Sequence, residues 1–317
     1  MNTSAGMGLK MGKATRDAFG DALLDLGKQN PRVVALDGDL CNSTKTEIFG
    51  KEFPDRFFNV GIAESNLVSM AGGLASCGKI PFVASFAAFM MCNAYDQLRM
   101  SVAFPNLNVK VVGSHGGISI GEDGPSQMAI EDVALACALP NFTVVVPADE
   151  VATHAAVPAL AEHVGPTYMR VGRPKVPIVY GNGCDFSLGK ANVLRDGGDV
   201  AIIANGLMVA VAVEAAEALR QRGIEARVID MHTVKPIDGD VLLAAAKETK
   251  GLVVAEEHGH YGGLGSVVSQ FVVEHHPCPV RHVNVGDQFA ESGDPQGLFE
   301  KYGLTAADVI RAAQSLA

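Results

Sequence analysis

Short apolar runs alternate with longer stretches of helical periodicity along the chain. In the first half the runs are Arg32-Val33-Val34-Ala35-Leu36 and residues 81–84, 107–112 and 142–146, and the helical stretches are residues 95–102, 129–138 and 151–161. Strands buried on both faces of a parallel sheet are continuous apolar runs, and helices connect them. The pattern therefore predicts an α/β fold with a doubly wound, mostly parallel sheet, in which ligands gather at the carboxyl ends of the strands.

The alternation is interrupted by a segment rich in proline and glycine between residues 174 and 190, which is typical of a connector. A second alternating unit follows, with apolar runs at 200–204, 226–229, 251–255 and 280–285 and helical stretches between them. We predict a first domain at residues 10–175, a linker at 176–191 and a smaller, doubly wound α/β domain at 192–317. A chain of 317 residues is long enough for both domains.

The acidic balance of the chain argues against a nucleic-acid partner, because the net charge is −10 and phosphate recognition needs a positive face. No apolar run approaches the roughly 20 residues of a membrane span, and the N-terminus lacks the apolar core of a signal peptide. The six cysteines form no CxxC pair and no zinc spacing with histidine, which predicts reduced and mostly buried thiols. We predict a cytoplasmic protein.

The clearest helix start lies within residues 59–71. Glycine at position 61 precedes a run whose apolar positions have the spacing of one core-facing helix side: Ile62, Leu67, Met70 and Leu74. Glu64 falls in the predicted first turn, where the positive end of a helix favours a carboxylate. Taken alone, Glu64 is interpreted most simply as a carboxylate that stabilises the positive end of the helix. A role for Glu64 in a functional site is favoured only by the residues found further along the chain.

Three further stretches each allow a functional and a structural interpretation. Residues 113–127 follow a predicted strand and include five glycines, a histidine and two acids. Such loops are often functional because glycine permits positive φ and close approach of a ligand, although a surface loop is the alternative. Phe86 and Phe89 suit either the core or a platform for a flat heterocycle. Arg170 and Arg173 follow another strand and suit either a phosphate or the surface.

The sequences GIAESNLVSMAGGLA, PFVASFAAF, GSHGGISIGEDGPSQMAIEDVA and RVGRP occur in this order. In order and spacing they closely resemble the C-terminal half of transketolase. The resemblance continues through ALDGDLCNSTKTEIF upstream and through VIDMHTVKPID and EEHGHYGGLG downstream, so it covers residues from about 14 to 312. Gln127 stands where the yeast and plant enzymes have histidine, which makes the chain more similar to the animal and split-subunit transketolases.

The resemblance implies a thiamine-diphosphate pyrimidine-binding domain followed by a transketolase C-terminal-type domain. It implies thiamine diphosphate and Mg²⁺ as cofactors, with the diphosphate site and the Mg²⁺ ligands on a separate N-terminal transketolase subunit. We expect the two chains to form an α2β2 assembly. Asp37-Gly38-Asp39 has the wrong residue order for the metal motif of the family, so we predict no metal ligand in this chain.

The resemblance also implies roles toward the cofactor. Glu64 would hydrogen-bond N1′ of the aminopyrimidine and favour its imino tautomer, which makes it a catalytic as well as a cofactor-binding residue. Phe89 would stack on the pyrimidine ring and Phe86 would line the same pocket. Asp39 is assigned to the cofactor as well.

The remaining roles concern the sugar. By resemblance, His115 is assigned to catalysis and, with Asp123 and Gln127, to the hydroxyl groups of the substrate. A terminal phosphate would be held by His115 together with Arg16, Ser43 and Arg173. The implied reaction transfers a two-carbon ketol unit from a ketose phosphate to an aldose phosphate, such as those of the pentose phosphate series, by ping-pong kinetics.

Some features depart from the family pattern. Gln127 removes an imidazole that could transfer a proton, and residues 90–93 (Met-Met-Cys-Asn) replace more polar residues. We hypothesise that these changes move the preference towards an unusual or branched sugar phosphate. A 1-deoxyxylulose-5-phosphate synthase-like enzyme, a 2-oxoacid dehydrogenase beta-like subunit and a catalytically silent regulatory partner stay open as alternatives. Glu256, Glu257, His258 and His260 suit a subunit contact better than a metal site, and we assign them no chemistry.

Overall fold

The structure, a computed structural model, describes residues 9–181 and 183–317. The strands of the first unit are β1 (Met11–Ala14), β2 (Val33–Asp37), β3 (Phe57–Asn59), β4 (Ile80–Phe86), β5 (Lys110–Ser114), β6 (Thr143–Val145), β7 (Thr167–Arg170) and β8 (Lys175–Pro177). Its helices are α1 (Thr15–Gln29), α2 (Cys41–Thr44), α3 (Thr46–Glu52), α4 (Glu64–Ser76), α5 (Ala87–Asn93), α6 (Tyr95–Gln97), α7 (Asp132–Ala138) and α8 (Glu150–Glu162). Short 3-10 helices lie at Pro54–Arg56 and Gly121–Asp123, and a π-helix lies at Leu98–Ala103.

The second unit follows the same alternating plan. Its strands are β9 (Asn192–Arg195), β10 (Val200–Ala204), β11 (Ala226–Asp230), β12 (Thr233–Lys235), β13 (Leu252–Ala255) and β14 (Val280–Val283). Its helices are α9 (Met208–Arg220), α10 (Gly239–Glu248), α11 (Leu264–His275), α12 (Pro295–Tyr302) and α13 (Ala306–Gln314). A five-stranded sheet has the order β14-β13-β10-β11-β9, and only β9 is antiparallel to its neighbour.

The sheet of the first unit has seven strands in the order β12-β6-β7-β5-β4-β2-β3. Six of them are parallel, and all residues of β2, β4 and β5 are buried, as the continuous apolar runs predict. The predicted α/β class with a mostly parallel sheet is therefore confirmed. In the register of the sheet Asp37 lies opposite Asn59 and Ala84, so the loops that follow β2, β3 and β4 emerge at one edge.

Two strand pairs join segments that the sequence separates. Strand β12 leaves the second unit and pairs antiparallel with β6 of the first sheet, with Thr233 opposite Val145. The Lys235 ammonium donates to the carbonyls of Cys137 and Leu139 at 2.9 and 2.6 Å, which fixes this strand further. Within the predicted connector, β8 pairs antiparallel with β1. The two units are thus tied together by main-chain hydrogen bonds.

Several expectations were wrong in detail. Ile62 is 82% exposed, because α4 begins only at Glu64 and Ile62 lies in the turn before it, whereas Leu67 is fully buried as predicted. The cysteines are not mostly buried, since Cys77 and Cys92 are exposed and the other four are half-buried. The helix expected at 95–102 is largely π-helical, and α12 and α13 had no sequence prediction. No helix in residues 9–181 and 183–317 is long and apolar enough to cross a membrane.

Candidate functional site

A buried carboxylate lies at the start of α4. The turn before it is fixed by Gly61, whose φ of +74° favours glycine, and whose N–H donates to the Asn59 side chain at 3.0 Å. Asn59 in turn donates to Asp39 at 2.8 Å. Glu64 is only 6% exposed, and within the described part of the chain its carboxylate accepts no hydrogen bond, although neither of its oxygens is among the fully buried atoms that lack a partner. The carboxylate is therefore still open to a donor supplied from outside this chain.

Stacked aromatic rings lie next to this helix start. Phe86 ends β4 and stacks on Phe89 of α5, with ring centroids 5.5 Å apart and planes inclined by 20°. The Ser65 hydroxyl donates to the carbonyl of Asn93 at 2.9 Å and so ties the start of α4 to the end of α5, one turn after Phe89. An aromatic face beside an unpaired carboxylate fits the aminopyrimidine of thiamine diphosphate, which offers a flat ring and a nitrogen to be hydrogen-bonded.

His115 also stacks on Phe86, with ring centroids 3.9 Å apart. Its backbone has a φ of +61°, a conformation that is strained for a residue other than glycine. Arg16 Nη1 lies 2.8 Å from Nε2, which makes Nε2 the acceptor and leaves Nδ1 to donate to the Ser114 hydroxyl at 2.7 Å. Burial lowers the pKa of His115 to about 3, helped by the cations of Arg16, Arg173 and Lys45. The imidazole is therefore neutral at physiological pH.

Cationic side chains gather around this histidine. Arg16 also donates to the main-chain carbonyl of Ser43 at 3.2 Å, and its Nε is buried without a partner among the described residues. Burial lowers the pKa of Arg16, and the nearby Arg173 acts in the same direction. Arg173 donates to the carbonyl of Ile120 at 2.8 Å and forms an exposed ion pair with Asp123 at 3.4 Å. Two guanidinium groups beside a neutral imidazole form an arrangement that suits a phosphate or another oxyanion.

The structure thus brings most of the predicted residues to one edge of the first sheet. Phe86 and Phe89 form one group near the helix start that carries Glu64. His115 with Arg16, Ser43, Arg173 and Asp123 forms a second group, joined to the first through Phe86. Asp39 is exposed and contacts only the turn residue Asn59 among its recorded side-chain bonds. Gln127 bonds to Ser126 at 2.7 Å and has no recorded bond to either group. Asp37 bonds to Leu40, Thr44 and Thr46 and is a structural residue.

Two sequence interpretations need correction or refinement. Met90 and Met91 are fully buried in the core, so only Cys92 and Asn93 of that stretch are exposed. A subunit contact is wrong for Glu256, Glu257 and His258, because all three are buried inside this chain. The described residues hold no cluster of three or more histidine, cysteine or acidic side chains that could bind a metal ion.

Sequence reasoning also missed residues that shape the site. Asn59 fixes the turn before α4, and Ser65 ties the start of α4 to the end of α5. The hydrogen bond from the Ser65 side chain to the Asn93 carbonyl could not be predicted, because no sequence pattern indicates it. Glu257 reaches the glycine-rich loop from the second unit and accepts a hydrogen bond from the Ser119 N–H at 2.5 Å. The two residues are 138 positions apart, a separation that only the folded chain reveals.

Comparisons with known proteins identify the family of this chain. The sequence matches the transketolase pyrimidine-binding domain over residues 11–178 and the transketolase C-terminal domain over residues 189–309. The fold and the two matches define a protein of the thiamine-diphosphate-dependent class. The chain belongs to the transketolase family and corresponds to its C-terminal section.

Individual relatives are similar over different shares of their own length. The chain is 43% identical to a 6-deoxy-6-sulfo-D-fructose transketolase subunit, SqwH, from Clostridium sp. (strain MSTE9), covering 95% of this chain and 94% of the relative. It is 43% identical to human transketolase, of which it covers 49% with 96% of its own length. A solved structure titled "Split gene transketolase, inactive beta4 tetramer" is 48% identical with a TM-score of 0.88, covering 96% of this chain and 98% of that chain.

Proposed function

We propose that this chain is the C-terminal subunit of a split transketolase. It transfers a two-carbon ketol unit between ketose and aldose phosphates, and it does so only with a partner subunit that carries the diphosphate- and Mg²⁺-binding domain, in an α2β2 assembly. The observation that carries the proposal is Glu64, whose carboxylate accepts no hydrogen bond from the described residues and which begins the helix next to the Phe86–Phe89 stack. On this proposal the chain supplies half of a cofactor site, and the relatives named C-terminal section and split-gene transketolase support a second chain for the other half.

The residues of this chain act first on the cofactor. Glu64 would hold ring atom N1′ of the aminopyrimidine through a hydrogen bond to its carboxylate, and this would favour the ring's imino tautomer. Phe89 provides the face against which the pyrimidine lies, while Phe86 keeps the pocket apolar and excludes water. Thiamine diphosphate, when bound, supplies the carbanion chemistry that protein side chains lack.

The second group of residues acts on the sugar. Arg16 and Arg173 neutralise the terminal anion, and Ser43 lies beside Arg16 at the same place. His115 is neutral, so we propose that it acts in the reaction by orienting the substrate through hydrogen bonds, because a pKa of about 3 disfavours uptake of a proton. We propose Asp123 and Gln127 as further contacts of the sugar and Asp39 as a contact of the cofactor. We also propose that residues 10–175 and 192–317 form the two domains, with residues 176–191 as the linker.

Reconstitution tests the proposal. The purified chain is mixed with an N-terminal transketolase section carrying the diphosphate motif, thiamine diphosphate and Mg²⁺, and transfer from xylulose 5-phosphate to ribose 5-phosphate is measured. We expect turnover by the pair and none by either chain alone. A pair that assembles but turns over neither this nor any related sugar would favour the alternative of a silent regulatory partner, and decarboxylation of a 2-oxoacid would favour the other thiamine-diphosphate enzymes.

A second candidate substrate class has a specific observation in its favour. The relative from Clostridium sp. (strain MSTE9) is named for 6-deoxy-6-sulfo-D-fructose, and it is similar over nearly the whole chain. The guanidinium groups of Arg16 and Arg173 fit a sulfonate as well as a phosphate, because both are tetrahedral oxyanions. The same reconstituted pair, assayed with the sulfonated ketose as donor, distinguishes the two. A higher kcat/KM for the sulfonated donor assigns the chain to sulfonated sugars, and a higher value for xylulose 5-phosphate assigns it to sugar phosphates.

A further inference from the structure

The second unit contacts the His115 loop through the carboxyl-end edge of its own sheet. Directly after β13, the Glu257 side chain accepts a hydrogen bond from the Ser119 N–H at 2.5 Å, and its main-chain carbonyl accepts one from Arg170 Nη1 at 2.7 Å. The Gly259 N–H donates to the carbonyl of Ile130 at 2.7 Å. Glu257 is buried together with its two partners Ser119 and Arg170, so solvent is excluded from these two hydrogen bonds.

This edge is the place where an open α/β sheet usually binds its ligand. Strand β10 lies between β11 and β13, so the chain connections diverge on either side of it and leave a crevice at the carboxyl ends. Here the crevice is filled by the first unit, and the space left between Gly116, Arg170, Gly206 and Glu257 is a cavity of about 30 Å³. A cavity of that volume has room for a water molecule and not for a substrate. The second unit therefore uses its crevice to hold a loop.

The held loop needs support because the backbone of His115 is strained, with a φ of +61°. Gly117 follows with a φ of +81°, which glycine adopts without strain. A Cβ atom on Gly117 would lie 2.1 Å from the carboxyl carbon of Glu257, which shows how closely this carboxyl underlies the loop. Strand β5 fixes the chain before His115, and the bond to Ser119 fixes it afterwards.

We propose that Glu257 is a positioning residue. By accepting the hydrogen bond of the Ser119 N–H, it keeps the His115 imidazole in contact with Arg16. The second unit thereby takes part in the reaction through Glu257. The proposal rests on the proposed function for its kinetic consequence, while its structural part concerns this chain alone. Burial raises the pKa of Glu257 to about 7, opposed by the Arg170 guanidinium. Either protonation state retains an oxygen that can accept from Ser119.

The test compares Glu257→Ala with Glu256→Ala. Glu256 is an equally buried neighbour, but it accepts hydrogen bonds from Leu264 and Gly265 at the start of α11, inside the second unit. Hydrogen exchange of the full chain is followed by mass spectrometry, and kinetics are measured on the reconstituted pair below the melting temperature of both variants. We expect amides of residues 116–120 to exchange about tenfold faster or more in Glu257→Ala and at the wild-type rate in Glu256→Ala. We expect kcat/KM to fall about 100-fold in Glu257→Ala alone.

Glu257→Gln separates positioning from general loss of stability. This variant keeps an acceptor oxygen of the same reach, so slow exchange at residues 116–120 and most of the kcat/KM should return. Equal exchange of this segment in the two alanine variants overturns the positioning role, whatever the pair catalyses. If the exchange difference is found but the wild-type pair has no transketolase activity, the positioning of the loop by Glu257 is supported and the proposed function is contradicted.

Discussion

Lys110 offers a direct test of the energetics of the first sheet. This lysine is fully buried at the start of β5, where its ammonium donates to the carbonyls of His163 and Gly165 at 2.7 and 2.9 Å. Burial lowers the pKa of Lys110 from 10.5 to about 7. Between these two values the unfolded chain binds the proton more tightly than the folded chain does. The cost of burying the charged Lys110 therefore destabilises the folded chain in full below about pH 7. As the pH increases from about 7 to 10.5 this cost disappears, so the free energy of unfolding rises.

The magnitude follows from the same two values. The gap between 10.5 and about 7 corresponds to about 5 kcal/mol, of which about 2 kcal/mol is recovered between pH 7 and pH 9. Lys110→Met keeps the length of the side chain but neither titrates nor donates to the two carbonyls. The wild-type hydrogen bonds weaken as the ammonium loses its proton, but the lowered pKa of Lys110 already includes that change, so the difference between the two pH values reports its titration.

Urea unfolding of the wild type and of Lys110→Met at pH 7 and pH 9 measures this effect. Relative to the variant, we expect the wild type to gain about 2 kcal/mol of unfolding free energy on going to pH 9. Lys28→Met, which removes an exposed lysine, serves as the control for general effects of charge. A difference between wild type and Lys110→Met that is the same at both pH values would refute the reasoning.

Three further predictions concern the site and its supports. Arg173→Ala should raise KM for phosphorylated sugars in the reconstituted pair with little change in kcat, because it removes binding shared by the ground and transition states; a fall in kcat alone would contradict this. Gly117→Ala should lower the free energy of unfolding by about 1–3 kcal/mol, because its φ is +81° and the site is filled, whereas Gly73→Ala in α4, with nothing near its Cβ position, should be neutral or stabilising. Tyr180→Phe removes the hydroxyl that donates to Asp230 at 2.5 Å. Burial raises the pKa of the Asp230 carboxyl to about 7. The free energy of unfolding of Tyr180→Phe should therefore be about 1–3 kcal/mol lower than that of the wild type, with the larger decrease above pH 7, where the carboxylate is charged. A decrease that is independent of pH in urea unfolding would count against the contact.

The class of fold could be predicted from the sequence because it depends on local patterns. The apolar run that became β2 is buried at every position, and the carboxylate of Glu64 does begin a helix. Ile62 shows the limit of periodicity, since a residue with helical spacing lies outside the helix when the start is two residues further on. Strand β12 shows another limit, because three residues of the second unit extend a sheet formed by the first.

The candidate site depended on contacts that no local pattern contains. Arg16 and His115 are 99 residues apart and meet only because α1 and the loop after β5 lie at the same edge of the sheet. Their grouping was available beforehand only through the resemblance to a family. The contact between Ser119 and Glu257 was missed even so, because the resemblance assigns no role to residues of the second unit.

The central claim is that Glu64 meets the heterocycle of a coenzyme whose other end is bound by a second chain. The most direct test is Glu64→Gln in the reconstituted pair, with turnover, assembly and unfolding all measured, and with Glu47→Gln as a control that removes one acid from the surface helix α3. The account predicts that Glu64→Gln folds and assembles normally but loses at least about 100-fold in kcat, while Glu47→Gln is as active as the wild type. Wild-type turnover by Glu64→Gln would contradict it.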